Sequence, residues 1–315
     1  LKCTRCKQEA VMKLKRHNSS FCPECFDIFF SRQVEQAIKK NRMFSREEPV
    51  LLGVSGGKDS MSLWFYLHQA GYKVQAVHFD LGMGEYSLRS REIVEGFSKQ
   101  YQLPLEVIEV RSLINYSMPE ITKKVRNRPS CSVCGMIKRH LLNRYAWDNH
   151  FSVYATGHNL DDEAATLLGN ILHWQDGYLA HQSPVLPSPH PKMVRKVKPF
   201  YTLTEEEIRW YAKLHDIPFI AERCPLSRRA KSFQYKEALD FLEEKSPGTK
   251  HMFLLGFLER RDRYFASNQE KVELGECARC GMPTTLEVCS FCHLMERLDS
   301  QKERSEENNA HNGSE

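Results

Sequence analysis

Short apolar runs alternate along the chain with segments of helical period. Val50-Leu51-Leu52-Gly53-Val54 is a continuous apolar run, the pattern of a strand covered on both faces. Met61–Ala70 predicts a helix, Lys73–Phe79 a strand, Leu88–Tyr101 a helix and Leu105–Val110 a strand. After a basic loop the pattern resumes with a helix from about Gly135 to Trp147, a strand over Phe151–Thr156 and a helix over Asp161–Leu172. This order implies an α/β fold with a parallel, doubly wound sheet, whose ligands lie beyond the carboxyl ends of the strands. A helix over Ser31–Phe44, with Val34, Ala37 and Ile38 on one face, precedes the sheet. Residues 181–199 hold five prolines and no acid, and read as a surface loop. Thr204-x-x-Glu207 is a capping box that opens a helix through His215, and Gln234–Lys245 and Thr249–Phe265 are further helices. Residues 299–315 are polar, lack an apolar period and read as a disordered tail.

Composition narrows the class. The chain has 315 residues, 41% of them hydrophobic, enough for a buried core over about two domains. No apolar run reaches the length of a membrane-spanning helix, so no membrane partner is expected. Leu1–Cys6 has no apolar segment of the kind a secretory leader carries. Net charge is +5, but its distribution says more. Arg111, Lys123, Lys124, Arg126, Arg128, Lys138 and Arg139 face one acid, Glu120, between positions 111 and 140. Lys192, Arg195, Lys196 and Lys198 form a second acid-free group, and Arg223, Arg228, Arg229, Lys231 and Lys236 a third. Clusters of this kind mark a polyanionic partner, although solvated basic faces give the same pattern.

The eleven cysteines fall into three sets. Cys3-x2-Cys6 with Cys22-x2-Cys25, and Cys277-x2-Cys280 with Cys289-x2-Cys292, each offer four thiolates for tetrahedral zinc. Two such saturated sites predict two structural Zn²⁺ ions and a reducing, cytoplasmic compartment. The middle set, Cys131-x2-Cys134 and the distant Cys224, has only three ligands. Its basic surroundings favour low-pKa thiolates. Three chemistries stay open there: a [4Fe-4S] cluster with one free iron, a persulfide–disulfide pair, or zinc completed by another residue.

Ser55-Gly56-Gly57-Lys58-Asp59-Ser60 lies between a strand and a helix. Its glycines let backbone N–H groups turn around an oxyanion at the positive helix end, Lys58 supplies charge, and Asp59 suits Mg²⁺ or the orientation of the loop. It is not a Walker A loop, because Gly53 and Gly57 enclose three residues and Asp follows the lysine. Thr156-Gly157-His158-Asn159-Leu160-Asp161-Asp162-Glu163 also joins a strand end to a helix and should line the same crevice. Its acids read either as Mg²⁺-linked or as simple caps.

The hexapeptide resembles the PP-loop of the N-type ATP pyrophosphatases. With Cys131-Ser-Val-Cys-Gly, the Thr156–Glu163 motif, the lone Cys224-Pro, Gly82-Met-Gly-Glu-Tyr-Ser, Lys196-Val-Lys-Pro-Phe-Tyr and both terminal cysteine sets, the chain resembles the TtcA/TtuA family of tRNA thiolation enzymes, in its TtuA-like 2-thiouridine synthase branch. The resemblance spans about residues 1–295. It implies a zinc module at 1–30, a PP-loop ATP pyrophosphatase domain at 31–200, a helical continuation at 201–270, a second zinc module at 271–295 and a tail at 296–315. It implies ATP at Gly53, Val54, Ser55, Gly56, Gly57, Lys58, Asp59, Ser60, Phe79 and Gly157, with Lys138 and Asp162 catalytic. It further implies that Cys131, Cys134 and Cys224 hold a [4Fe-4S] cluster whose open iron takes a sulfide. Uridine O2 would attack the α-phosphate, and sulfur would then replace it. The implied partners are tRNA, a ubiquitin-like thiocarboxylate carrier and a second copy in a homodimer. Lys138 and Lys231 match lysines that such a carrier modifies, whereas Arg228 replaces a third. Relatives in this branch modify the T-loop uridine at position 54; a neighbouring branch modifies the wobble uridine. Thiolation of the wobble uridine or of a cytidine in tRNA, a PP-loop amidotransferase or ligase acting on a small molecule, and a zinc-dependent RNA-binding protein are the competing readings.

Overall fold

The computed structural model describes residues 1–125, 127–227, 230–265 and 273–312. Arg126, Arg228 and Arg229 of the basic clusters, and the last three residues of the expected tail, lie outside the described residues.

The chain begins with a hairpin, β1 (Met12–Leu14) and β2 (Ser19–Phe21), joined by a 3-10 turn at Lys15–His17. The following helix, α1 (Pro23–Lys40), starts earlier than the expected Ser31. Pro23 is preset for a first helical position, and Cys22 is the N-cap, so the second cysteine knuckle is also the helix entry. Then come β3 (Val50–Gly53), α2 (Lys58–Gln69), β4 (Val74–Asp80), α3 (Glu85–Tyr101), β5 (Leu105–Glu109), α4 (Val110–Ile114), α5 (Met118–Lys124) and α6 (Ser130–Asp148). The chain continues through β6 (Val153–Ala155), α7 (Leu160–Leu172), α8 (Asp176–His181), β7 (Val185–Leu186), β8 (Arg195–Val197) and α9 (Glu205–Leu214). It ends with α10 (Lys231–Lys245), α11 (Thr249–Phe265), β9 (Gly275–Glu276), β10 (Pro283–Thr284) and α12 (Ser290–Asn312).

The main sheet has the order β5-β4-β3-β6-β8-β7 and is parallel except for β7. The expected parallel, doubly wound sheet is thus present with one antiparallel edge. Its two outer strands, β7 and β8, lie inside the segment expected to be a loop. Arg195-Lys196-Val197 has no apolar run to betray it; pairing with β6 makes it a strand.

Alternate residues feed opposite layers. Val50, Leu52, Ala76 and Ala155 pack with α2 and an aromatic layer in which the Phe30 and Tyr211 rings stack at 3.9 Å. Leu51, Val77 and Tyr154 pack under α6, against Leu142 and Ala146. Arg16 of the first hairpin grips Glu207 of α9 through two 2.9 Å hydrogen bonds, which docks the N-terminal module on the core.

At the other end, Leu294 and Leu298 of α12 are buried with Val133, Ile137 and Leu141 of α6. Phe291 stacks on His140 at 3.9 Å, and Tyr116 donates to Asp299 at 2.8 Å. Within the described residues the segment expected to be a tail is helical: α12 runs through Asn312, with Leu294 and Leu298, one turn apart, packed on α6. Among the described residues no helix is long and apolar enough to cross a membrane.

Candidate active site

The chain order reverses beside β3: β4 and β5 lie on one side, β6 and β8 on the other. Such a switch point opens a crevice at the carboxyl ends of the strands. Here it holds a cavity of roughly 460 Å³. Of the residues expected around ATP, all but Gly56 and Lys58 line it, and so do Lys138, Asp162, Cys134 and Cys224.

The Ser55–Ser60 loop is held by its own hydroxyls. The Ser55 amide donates to Ser60 Oγ at 3.1 Å, and Ser60 Oγ donates to the Gly57 carbonyl at 3.1 Å. Ser90 of α3 donates to the Ser55 carbonyl at 2.7 Å. Gly56 has φ +73°, and a side chain there would meet Ser90 Oγ at 2.6 Å. A Cβ on Gly157 would lie 2.8 Å from the backbone of Asp59 and Ser60, so only glycine lets the two loops touch. Asp59 forms an ion pair with Lys58 and accepts from Asn159 Nδ2 at 3.2 Å. Burial pushes its carboxyl above the ordinary value, against the pull of Lys58.

The three consecutive acids on α7 diverge. Asn159, not an aspartate, is the N-cap, and Asp162 completes its capping box. Asp161 pairs with Lys250 and accepts from the Glu205 amide at 2.8 Å. Glu163 meets Lys198 at 2.6 Å in the interior. Asp162 alone reaches the crevice, clamped by Lys236 of α10 at 2.6 Å. Burial would raise its pKa, but the Lys236 charge and hydrogen bond and the Asn159 amide outweigh that and hold it below the usual carboxylate value.

The thiol wall is built by α6 and the loop before α10. Cys131 and Cys134 sit in the first turns of α6, not ahead of it as expected, because the helix opens at Ser130 after Pro129. Their one-turn spacing puts them on one helix face. Cys224 lies across from them, its Sγ 3.9 Å from Met83 Sδ, and Cys131 Sγ is 3.8 Å from the Leu226 carbonyl. The expected low-pKa thiolates are not found at Cys131 or Cys134. Burial pushes both thiols up; Cys224 adds to this, while Lys138 pulls the other way.

In each terminal set, all four sulfur atoms lie within 4.8 Å of one another, the spacing of ligands around a single ion. The Cys6–Cys22 pair is at 3.6 Å and the Cys280–Cys289 pair at 3.8 Å. Burial opposes ionisation of Cys3 and Cys277, yet knuckle amides aimed at the sulfurs bring both down to about 6.

Four crevice residues escaped functional assignment from sequence. Lys236 clamps Asp162 over 74 positions of chain, a pairing that no local pattern encodes. His158 is held neutral, with its pKa pulled down to about 3 by burial and the charges of Lys196, Lys198 and Lys138. Arg139 and Lys196 also line the cavity, and were visible only as members of basic clusters.

The PP-loop domain model matches residues 27–229, and the model of the N-terminal LIM domain of the 2-thiouridine synthetase TtuA matches residues 2–27. The tRNA-5-methyluridine(54) 2-sulfurtransferase of Thermotoga maritima is 44% identical over 97% of this chain and 99% of its own. The Thermus thermophilus protein of that name is 42% identical over 94% of this chain and 91% of its own. The U34-tRNA thiolase NcsA from Methanococcus maripaludis, solved with its [4Fe-4S] cluster, is 25% identical, with a TM-score of 0.81 over 94% of this chain and 96% of its own. By these matches, which together span nearly the whole chain, this chain belongs to the PP-loop tRNA thiolases, in the tRNA-5-methyluridine(54) 2-sulfurtransferase family.

Proposed function

We propose that this protein is an ATP-dependent tRNA sulfurtransferase that replaces the C2 oxygen of uridine 54 with sulfur. The observation that carries this reading is the single cavity shared by the phosphate loop, Lys138, Asp162 and the thiols Cys134 and Cys224. Position 54 is favoured over the wobble position because the relatives named for it share 39–44% of residues with this chain. A cytoplasmic setting follows the fungal cytoplasmic tRNA 2-thiolation relatives.

The chemistry has two parts. Uridine O2 attacks the α-phosphate of ATP, a P–O bond forms, and pyrophosphate departs with the electron pair. An enolate-like oxygen thereby becomes part of a good leaving group. A sulfur nucleophile then adds at C2 and expels AMP. The loop amides and the α2 N-terminus bind the departing phosphates. Lys138, one helical turn after Cys134, is placed to steady charge on the α-phosphate facing the thiols. Asp162, kept ionised by Lys236, orients the reacting uridine edge.

The residues fit a [4Fe-4S] cluster held by Cys131, Cys134 and Cys224. Cys134 and Cys224 line the cavity, Cys131 lies one turn before Cys134 on α6, and three thiolates leave one iron of such a cluster without a protein ligand. When bound, such a cluster supplies an iron with a free position for incoming sulfur. The four-thiolate sets fit one Zn²⁺ each. A protein-held Mg²⁺ fits less well: the described carboxylates lining the crevice, Asp59 and Asp162, both face a lysine. Mg²⁺ then arrives on the ATP phosphates. The thiocarboxylate carrier and the homodimer stay part of the proposal as sulfur source and assembly.

The test is nucleoside mass spectrometry of tRNA from a deletion strain. Loss of the 2-thio modification at position 54, restored by this gene, supports the reading; a normal position 54 with loss at the wobble uridine contradicts it.

A further inference from the structure

Cations around the crevice are mostly matched. Lys58 faces Asp59, Lys198 faces Glu163, Lys236 faces Asp162 and Glu205, and Lys250 faces Asp161 and Asp240. Three lining cations are not: the side chains of Lys138, Arg139 and Lys196 have no hydrogen bond or ion pair to the described residues. Lys138 is accounted for by the α-phosphate. Arg139 and Lys196 have no such role.

Lys196 stands on β8, in register with Tyr154 of β6, on the sheet face that α6 covers. Burial, Lys198 and Arg139 push its pKa down to about 8, and the one opposing carboxylate, Glu163, is already taken by Lys198. Arg139 comes down from α6 and folds back along the helix: a Cβ on Gly135 would lie 2.9 Å from its Nη1. The missing side chain at Gly135 leaves room for the guanidinium beside Cys134. Two unmatched cations thus project from two elements into one cavity. Lys196 is partly buried, and a cation withdrawn from water without its own counter-charge is costly, whereas Arg139 stays open to solvent at the cavity mouth, free to meet a ligand.

On the proposed reading the opposite wall takes the triphosphate with loop amides and the α2 N-terminus. A base that must meet both the α-phosphate and the thiol side has to leave its stack and lie between the walls. The strand carrying it then runs along the α6–β8 side. We infer that Arg139 and Lys196 form a second anion subsite, separate from the phosphate loop, that takes a phosphodiester of the RNA strand next to the extruded uridine. The pairing suits this ligand, since a planar guanidinium grips two phosphate oxygens and an ammonium adds a point charge. This inference rests on the thiolase reading above, and deepens it by naming where the substrate backbone is held.

The test measures binding of fluorescent tRNA transcript over a salt series, with calorimetric titration of a non-hydrolysable ATP analogue on the same samples. Lys196→Gln and Arg139→Gln are each expected to weaken tRNA binding about tenfold at low salt and to flatten the log K against log salt slope by about one unit. Affinity for the ATP analogue should stay within about twofold. Exposed Lys213→Gln is the charge control and should keep the wild-type slope. Gly135→Ala, which favours the helix but makes the Arg139 guanidinium shift, should weaken tRNA binding less than Arg139→Gln does, with a melting temperature no lower than that of the wild type. A fall in ATP-analogue affinity with an unchanged tRNA slope would assign both cations to the triphosphate and overturn the inference. An equal loss in Lys213→Gln would overturn it too. Failure of the wild-type protein to bind or thiolate tRNA strikes the thiolase reading, and is seen before any variant is made.

Discussion

The terminal cysteine sets and the central one are built from the same Cys-x2-Cys unit and reach opposite states. At each end a second knuckle closes the site: four sulfurs crowd within 4.8 Å, most of them buried, with backbone amides turned towards them. In the centre there is one knuckle at the start of α6 and a single distant cysteine, as a set more open, with Cys134 and Cys224 lining the cavity and Cys131 exposed beside it. Completed ligation leaves nothing for a substrate and turns metal affinity into folding energy. Incomplete ligation leaves a position free for chemistry. The two kinds of site also meet physically, because α12 of the C-terminal module packs on α6, which carries Cys131 and Cys134.

Metal removal should separate the two kinds of site most strongly. Cys277→Ser with Cys289→Ser forfeits an apparent ~10–16 kcal/mol of zinc-linked folding energy. The expected result is one metal equivalent lost, α12 released from α6 and thiolation abolished; metal analysis with thionucleoside assay checks it, and a metal-free module with full thiolation would contradict it. A large but local effect is expected from Asp59→Ala. It frees Lys58 and Asn159, and misplacing the loop should cut tRNA-dependent pyrophosphate release about 100-fold, with both zinc sites intact. Unchanged release would remove the loop from the chemistry.

A smaller, purely structural effect is expected where the N-terminal module docks. Glu207 is buried, and burial alone would raise its pKa; the His17 hydrogen bond, the Arg16 charge and the Thr204 amide outweigh it and hold it below the ordinary glutamate value. A depressed carboxylate stabilises the fold above its unfolded pKa, and that contribution fades as pH falls through the folded value. Wild-type protein should therefore lose stability as pH drops below about 4.3, the unfolded glutamate value. Arg16→Met should cost about 3 kcal/mol at neutral pH by leaving Glu207 short of its partner, with thiolation kept below the melting temperature. Urea unfolding at pH 7 and pH 4 measures both, and an Arg16→Met protein as stable as wild type would show that the contact is idle.

What the sequence revealed follows the range of the forces involved. The strand–helix alternation, the phosphate loop and the Thr204 capping box rest on neighbours within a turn, and all are legible. The cysteine knuckles are legible for the same reason. β8 was hidden because Arg195 and Lys196 carry no strand signature until β6 lies beside them. α12 was hidden because Leu294 and Leu298 are a thin apolar stripe among charges, made meaningful only by α6. The pairings of Asp161, Asp162 and Glu163 with three different lysines decide which acid faces the crevice, and they join residues far apart in the chain. Thiol pKa was misjudged because nearby basic residues are visible in sequence, whereas burial and the approach of Cys224 are not.

The central claim is that activation and sulfur delivery share one cavity yet use separable residues. It is tested most directly by anaerobic assay of Cys131→Ala with tRNA and ATP, following pyrophosphate release and 2-thiouridine in the same reaction. The account predicts release close to the wild-type rate with no thionucleoside. Full thiolation by this variant, or loss of pyrophosphate release in a folded, zinc-replete protein, would contradict it.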